Sequence, residues 1–163
     1  AGPPPPLPVG ARVALMAAER PPVAWFRYLY SEVGRDWEWT DWLERPDAEA
    51  ADFLGADGVT LHTMMLEGWP GGFFMLDGRE AGVCDLAYFG LVPEALGRGL
   101  GRWLLGQAIH AAWELPGVER LTVNTCSLDH PAALGLYQRM GFEPVRREKA
   151  SRLLSRSRAA APE

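Results

Sequence analysis

The 163-residue chain is poor in cysteine, histidine and lysine. Its two cysteines, Cys84 and Cys126, stand far apart with no CxxC pair, which excludes a disulfide framework and a thiolate zinc site. His62 and His110 lack metal-ligand spacing, so no metal is expected. There is no long apolar run: the most apolar stretch, Trp103 to Trp113, is short and carries Gln107 and His110, so no spanning helix is expected. Positive charge is not in excess either. A formal net charge of −5 argues against a sequence-independent nucleic-acid binder. The first residues, AGPPPPLPVGARV, show no basic region followed by an apolar one, so no secretory signal is expected. A reduced, cytoplasmic setting fits this cysteine usage best.

Hydrophobic residues make up 48% and charged residues 23%, a balance that supports one domain with a real core. Charge is unevenly spread. Eight acids and one base, Arg45, lie between Asp36 and Asp57, and six bases and one acid, Glu148, lie between Arg146 and Arg158. Residues 1–10 read as a Pro-rich arm with no core of its own. Residues 11–147 read as a single domain, and 148–163 as a basic, solvated tail. Lys149 is the only lysine, and arginine supplies the other fifteen positive charges.

Periodicity gives the order of elements. Arg12 to Met16 alternates as a first strand. Pro21-Pro22 opens a helix whose stripe is Phe26, Leu29, Tyr30 and Val33, with Gly34 at its end. Trp37, Trp39 and Trp42 fall in a segment without a clear period. Asp47 to Leu54 reads as a second helix. Val59–Leu66, Gly72–Leu76 and Val83–Leu91 read as strands of an antiparallel meander, with turns at 68–71 and 77–78. A helix over about 101–114, a strand over 121–126, a helix over 131–140 and a last strand over 142–147 follow. Strand–helix–strand after Val83 implies parallel neighbours, and so a mixed α/β sheet flanked by helices.

The segment Leu91-Val92-Pro93-Glu94-Ala95-Leu96-Gly97-Arg98-Gly99-Leu100-Gly101-Arg102 carries the chemistry. A strand ends, three alternate glycines follow, and a helix begins. Glycines let backbone N–H groups approach a ligand, and the helix start adds unpaired donors and partial positive charge, so the loop suits an anion such as phosphate. Arg98 and Arg102 are placed to add charge-assisted bonds. The loop is not a Walker A motif, because no Lys-Ser or Lys-Thr follows, and its spacing departs from G-x-G-x-x-G. A tight turn needed only for strand–helix packing is the competing explanation.

Downstream lies Asn124-Thr125-Cys126-Ser127-Leu128-Asp129-His130-Pro131, then Ala133 to Phe142 with Leu136-Tyr137 and Gly141-Phe142. Together the two motifs resemble the GCN5-related N-acetyltransferase (GNAT) superfamily, as a small bacterial-type member. Residues 93–105 look like its coenzyme A motif, Arg/Gln-x-x-Gly-x-Gly/Ala. Residues 133–142 look like its motif ending in Leu-Tyr-x-x-x-Gly-Phe. The resemblance implies a central twisted mixed sheet of about six or seven strands with about four helices. A V-shaped splay would lie between the strands at 83–92 and 121–126. It implies acetyl-CoA as co-substrate, with the pyrophosphate on Gly97, Arg98, Gly99, Leu100, Gly101 and Arg102. The pantetheine would lie along Leu91 and Phe89, and an oxyanion donor would lie near Leu91 or Val92, with Asn124 and His130 beside the cofactor. Two positions depart from the pattern: Leu96 stands where the family has Arg or Gln, and His130 where Asn is common. Asp129 is the better generic N-cap.

The implied reaction moves an acetyl group directly to a primary amine of a small molecule or peptide in a ternary complex. An amine of pKa near 10.4 is only about 0.04% neutral at pH 7, so a base helps. Tyr137 is the acid that the resemblance implies for the thiolate; the alternative is a core aromatic beside Leu134, Leu136 and Met140. Alternation puts Val83, Asp85, Ala87, Phe89 and Leu91 on one strand face, and a carboxylate among apolar neighbours needs a role or a partner. Asp85 also falls where histone acetyltransferases of the superfamily carry a catalytic Glu. It is the candidate base, or else half of a salt bridge to Arg79 or Arg120. Tyr88, on the other face, is a weaker candidate. Trp37, Trp39, Tyr30 and Tyr88 are substrate-side candidates, since aromatics among acids suit an ammonium; core or dimer contacts are the alternative. Lookalikes are commonly dimers, so a homodimer is among the expected assemblies. Two other classes stay open: an acyl-CoA-binding sensor or interaction module on the same fold, and a nucleotide-binding protein outside the family.

Overall fold

The computed structural model describes residues 2–149. The tail beyond Lys149 lies outside the described residues. Five strands form one sheet: β1 (Val13–Ala18), β2 (Val59–Leu66), β3 (Trp69–Asp77), β4 (Val83–Leu91) and β5 (Arg120–Val123). They lie side by side in chain order. The first four pair antiparallel and β5 pairs parallel to β4. Before the meander come helices α1 (Val23–Gly34), α2 (Asp41–Glu44) and α3 (Asp47–Gly55). After it come a 3₁₀ turn (Pro93–Ala95), the crossover helix α4 (Leu100–Trp113) and α5 (Ala133–Arg139). Of the tryptophan segment that has no sequence period, Trp42 lies in α2, and Trp37 and Trp39 lie in the connection before it.

Hydrophobic patterning builds this order. The α1 stripe is buried at Phe26, Leu29, Tyr30 and Val33, as its spacing predicts. Phe73, Met75 and Tyr88 share the sheet face toward α1, where Phe73 meets Trp39 and Tyr88 meets Phe26 and Tyr30. Phe74 and Phe89, opposite each other in register, share the other face, where Tyr137 of α5 meets Phe89. The β2–β3 hairpin turns at Glu67 and Gly68, both at positive φ, as a two-residue hairpin turn of primed type requires. Trp69 to Gly71, expected as turn, belong to β3, with a register irregularity opposite Met64/Met65.

One expectation fails. The segment 142–147 forms no strand, so the sheet has five strands rather than six or seven. Phe142 folds back onto Tyr137, Pro144 lacks an N–H for a ladder, and Arg146 pairs locally with Glu148. The Pro-rich arm packs against the body at Pro5. A Cβ at Gly106, in mid-α4, would lie 2.1 Å from Pro5 Cδ. A helical glycine costs roughly 1 kcal/mol against alanine, and here the missing Cβ is what admits the arm.

Gly34 is the last residue of α1, and its φ is not left-handed, so its need is steric. A Cβ there would lie 2.2 Å from Trp39 Cβ. Gly34→Ala is expected to cost about 1–3 kcal/mol by overpacking. Gly55→Ala, at a helix end with open space beyond, should stay within about 0.5 kcal/mol of the parent. Denaturant unfolding of the two variants measures the difference.

Candidate active site

The parallel ladder between β4 and β5 runs only from Val83↔Arg120 to Leu86↔Val123. It stops where β4 carries an extra residue. Against β3 the register passes from Leu76↔Leu86 to Met75↔Tyr88, leaving Ala87 unmatched. Such a bulge bends its strand and sharpens the twist. Residues 87–91 therefore keep an edge that β5 does not cover, which is the splay expected between these strands.

The bulge also corrects the face assignment. With Ala87 inserted, Asp85 and Tyr88 fall on the same side, and both line one cleft. Phe89 turns to the opposite side, against Tyr137. The cleft has a volume of about 460 Å³ and is walled by Trp42, Phe53 and Tyr88, with Asp77, Asp85, Arg45 and Arg79 among its polar residues. It lies on the α1–α3 side of the sheet.

Asp85 is half-buried and accepts a hydrogen bond from Thr122 Oγ1 at 2.7 Å, across the β4–β5 pair. Asp77 lies opposite it in the β3–β4 register. Burial pushes the Asp85 carboxyl above the ordinary range, the Thr122 hydroxyl pulls it back, and the Asp77 charge raises it further. Neither anticipated ion pair forms. Arg79 grips Asp77 instead, with Nε on Oδ1 at 2.9 Å and Nη2 on Oδ2 at 2.6 Å. Among the described residues Asp85 has no ion pair. Burial also raises the Tyr88 phenol, whose oxygen accepts the Trp42 indole N–H at 2.6 Å. The neighbouring Cys84 is a buried thiol pushed up to about 11, chiefly by burial, so it packs as a small apolar side chain.

On the other side, Gly97 and Gly99 adopt φ of +72° and +74°, a left-handed backbone that side chains rarely take. Gly99 immediately precedes α4, and nothing lies within 4 Å of where a Gly97 Cβ would be. Leu100 is buried, and a Cβ at Gly101 would make ordinary contacts with Leu91 and Leu136. The loop is exposed at Gly97, Arg98 and Gly99, and Pro8 Cγ of the arm lies 3.5 Å from where a Gly99 Cβ would be. The arginines contribute less than the spacing suggested. Arg98 leans to Glu67 at 2.7 Å, and Arg102 is exposed. Leu96 is 42% exposed and adds no charge. Val92 is corrected as an oxyanion donor: its N–H bonds Gly71 O at 3.0 Å. Strand alternation then turns the N–H groups of Leu91 and Phe89 to the open edge.

Tyr137 is 7% exposed, with its ring on Phe89 and Phe142. Burial holds its phenol well above the ordinary value, and the Asp129 charge adds to this. Asn124 lies exposed just beyond β5. His130 Nδ1 accepts the Ala132 N–H at 3.1 Å, and its ring meets Trp37 at 5.0 Å. Asp129 is not the cap of α5. It accepts Thr125 Oγ1 and the Cys126 N–H, both at 2.9 Å, and the Trp39 Nε1–H at 3.4 Å. Trp37 and Trp39 thus tie the α1–α2 connection to the loop before α5 rather than wall the cleft. Tyr30 is buried beneath Trp39 and Tyr88. Of the substrate-side candidates, Tyr88 alone lines the cleft. Sequence reasoning missed Trp42 and Phe53 as walls, and Thr122 and Asp77 as neighbours of Asp85. The pairing register is the signal that would have found the last two.

A mixed sheet opened between parallel strands, with a left-handed glycine turn starting a helix beside the opening, defines an acyltransferase of the N-acetyltransferase class. The sequence model of the acetyltransferase (GNAT) family matches residues 23–142, and the chain belongs to that family. No curated protein sequence matches it. Among solved structures it resembles the aminoglycoside N-acetyltransferase AAC(6')-Iy in complex with the bisubstrate analog CoA-S-monomethyl-acetylneamine. That likeness has 19% identity and a TM-score of 0.64, over 87% of this chain and 98% of that one. A ribosomal-protein-alanine N-acetyltransferase from Brucella melitensis biovar Abortus 2308 is 15% identical with a TM-score of 0.62, over 87% and 100%. A transcriptional regulator from Bacillus halodurans C-125 is 17% identical with a TM-score of 0.66, over 87% and 100%. At such identities the likeness is one of fold.

The raised Asp85 carboxyl has a consequence for stability. Folding favours its protonated form, and that contribution is complete below the unfolded pKa of about 3.9 and lost as pH climbs through the folded value. At neutral pH the half-buried charge therefore opposes folding. Asp85→Asn, which keeps an oxygen for Thr122, is expected to melt higher than the parent at pH 7, with the gap closing toward pH 4. Melting curves across that range check it.

Proposed function

We propose that the protein transfers the acetyl group of acetyl-CoA to a primary amine of a small cationic molecule, with Asp85 as base and Tyr137 as acid. The observation that carries this reading is the bulge at Ala87. It leaves one strand edge open and turns Asp85 to one face and Phe89, which meets Tyr137, to the other. Acetyl-CoA would be held by the glycine turn and the backbone of Leu91 and Phe89, on the side of Tyr137. The amine would come through the aromatic cleft on the side of Asp85. Its ammonium proton goes to the Asp85 carboxylate, directly or through a water. The free nitrogen attacks the thioester carbon, the carbon–sulfur bond breaks, and the departing thiolate takes the phenolic proton of Tyr137; the nitrogen's second proton is lost to solvent, from which the phenolate is reprotonated. Burial strengthens Asp85 as a base and holds the Tyr137 phenol in its protonated form. An acetyl oxygen facing the Leu91 N–H would gain an oxyanion donor, typically worth about 2.7–4 kcal/mol.

Two measurements test this. Gly99→Asp forces a side chain and a negative charge onto the left-handed turn. Calorimetric affinity for CoA should fall at least about tenfold in the folded variant; equal affinity would place CoA elsewhere. The second is release of CoA thiol with a panel of amines. Tyr137→Phe should lower kcat roughly 10²-fold with CoA binding kept. Asp85→Asn should lower kcat/KM at neutral pH, and the deficit should shrink at high pH as the amine deprotonates unaided. A deficit equal at every pH removes Asp85 as the base, and CoA binding without thiol release with any amine supports the sensor reading.

A further inference from the structure

The cleft already contains cations of its own. The Arg45 guanidinium lies 4.5 Å over the Trp42 ring and bonds Glu49 at 2.8 Å. The Arg79 guanidinium lies 5.3 Å from the Phe53 ring centre and holds both oxygens of Asp77. Trp42 and Phe53 stack on each other at 4.8 Å. The aromatic faces and two of the carboxylates that would receive an ammonium are thus taken by guanidinium groups.

The two pairs differ in where they act. Glu49 is about half exposed, and its pair with Arg45 is a local contact from an extended residue between α2 and α3 to the first turn of α3. Asp77 is only 21% exposed and sits opposite Asp85, the carboxylate the amine must reach. Arg79 belongs to the β3–β4 turn, where its backbone N–H also bonds Asp77 Oδ1 at 3.2 Å. Its side chain is half exposed and reaches back over the cleft rather than into the core. A second ammonium brought in beside Asp85 would meet this fixed positive charge instead of a free carboxylate. Exposed Asp52 remains at the rim to draw cations toward the mouth.

We propose that Arg79 sets the charge of the acceptor: by holding Asp77 and covering Phe53, it leaves one ammonium site, at Asp85, and turns away compact diamines. The selectivity comes from a repulsive element built into the pocket, the usual means of discriminating ligands that share a recognised group. The inference rests on the cleft being the acceptor side.

The test pairs n-butylamine with 1,4-diaminobutane, which share a carbon chain and differ by one ammonium. Binding of each to the full chain at fixed ionic strength is measured by calorimetry without acetyl-CoA. The parent should favour butylamine. Arg79→Met, which keeps an apolar stem over Phe53, should shift the affinity ratio toward the diamine by about tenfold, and Arg79→Lys should stay near the parent. Asp77→Asn leaves Arg79 without its counter-charge and should shift the ratio the other way. A ratio in Arg79→Met within about twofold of the parent overturns the proposal, as does a Lys variant that moves as far as Met. Binding shifts as expected without any acetyl transfer would sink the catalytic reading and leave Arg79 in its role. Transfer to amines with an unmoved ratio would do the reverse. Neither amine binding to the parent or any variant would overturn both.

Discussion

One inserted residue governs this structure. Ala87 has no partner on β3, and the strand bend that follows ends the ladder to β5 after four pairs. Without the insertion, β4 and β5 would zip on past Leu86, and no edge would be left for a strand-like ligand. Asp85 and Tyr88 would then face opposite sides. The same residue thus opens the sheet and gathers the polar groups of one cleft. Bulges recur beside functional sites because they re-aim side chains without disturbing the rest of a sheet.

The bend is held by close packing. A Cβ at Gly90 would lie 2.3 Å from Val33 Cγ1, so α1 sits nearer to β4 than any side chain at that position would allow. This approach puts Tyr30, Trp39 and Tyr88 in one cluster of tilted and edge-to-face rings, with ring centres 5.3 to 5.5 Å apart. Offset and tilted aromatic contacts of this kind add to the area they bury. From the cluster, Trp39 reaches Asp129 and Trp42 reaches the Tyr88 hydroxyl. The loop before α5 and the wall of the cleft are therefore joined through rigid rings rather than through flexible chains.

Much of this was legible in the residues, and the misses have local causes. The α1 stripe, the three meander strands, the crossover helix and the glycine loop at its start follow from periodicity and from glycine chemistry. The insertion at Ala87 does not: alanine fits the alternation of β4 on either face, so the pattern Val83, Asp85, Ala87, Phe89 looked regular. Register decided it, through pairing with a strand about ten residues away. The ion pair expected between Asp85 and Arg79 fails for a related reason. Asp77 and Asp85 are opposite each other, and the shorter loop to Asp77 won. The strand expected at 142–147 had suitable side chains at Phe142 and Val145, but a proline between them and two adjacent arginines leave it without a ladder.

The charges around Asp85 show stability and chemistry pulling apart. Nearby groups offered routes to an easier carboxylate, such as an ion pair with Arg79. Instead Arg79 serves Asp77, and Asp85 has one hydroxyl donor and a like charge across the strand. Such an arrangement costs folding free energy at neutral pH and is kept only where the surrounding packing can support it. The support here is the fully buried set of Phe26, Leu29, Phe73, Phe74, Leu104 and Leu105 on both faces of the sheet. A carboxylate held short of partners in a cleft with aromatic walls has unused capacity for a positive charge, and an ammonium ion is the ligand that would fill it while giving up a proton. An electrostatic cost of this sort, held at one side chain, is typical of sites that bind or transfer a proton.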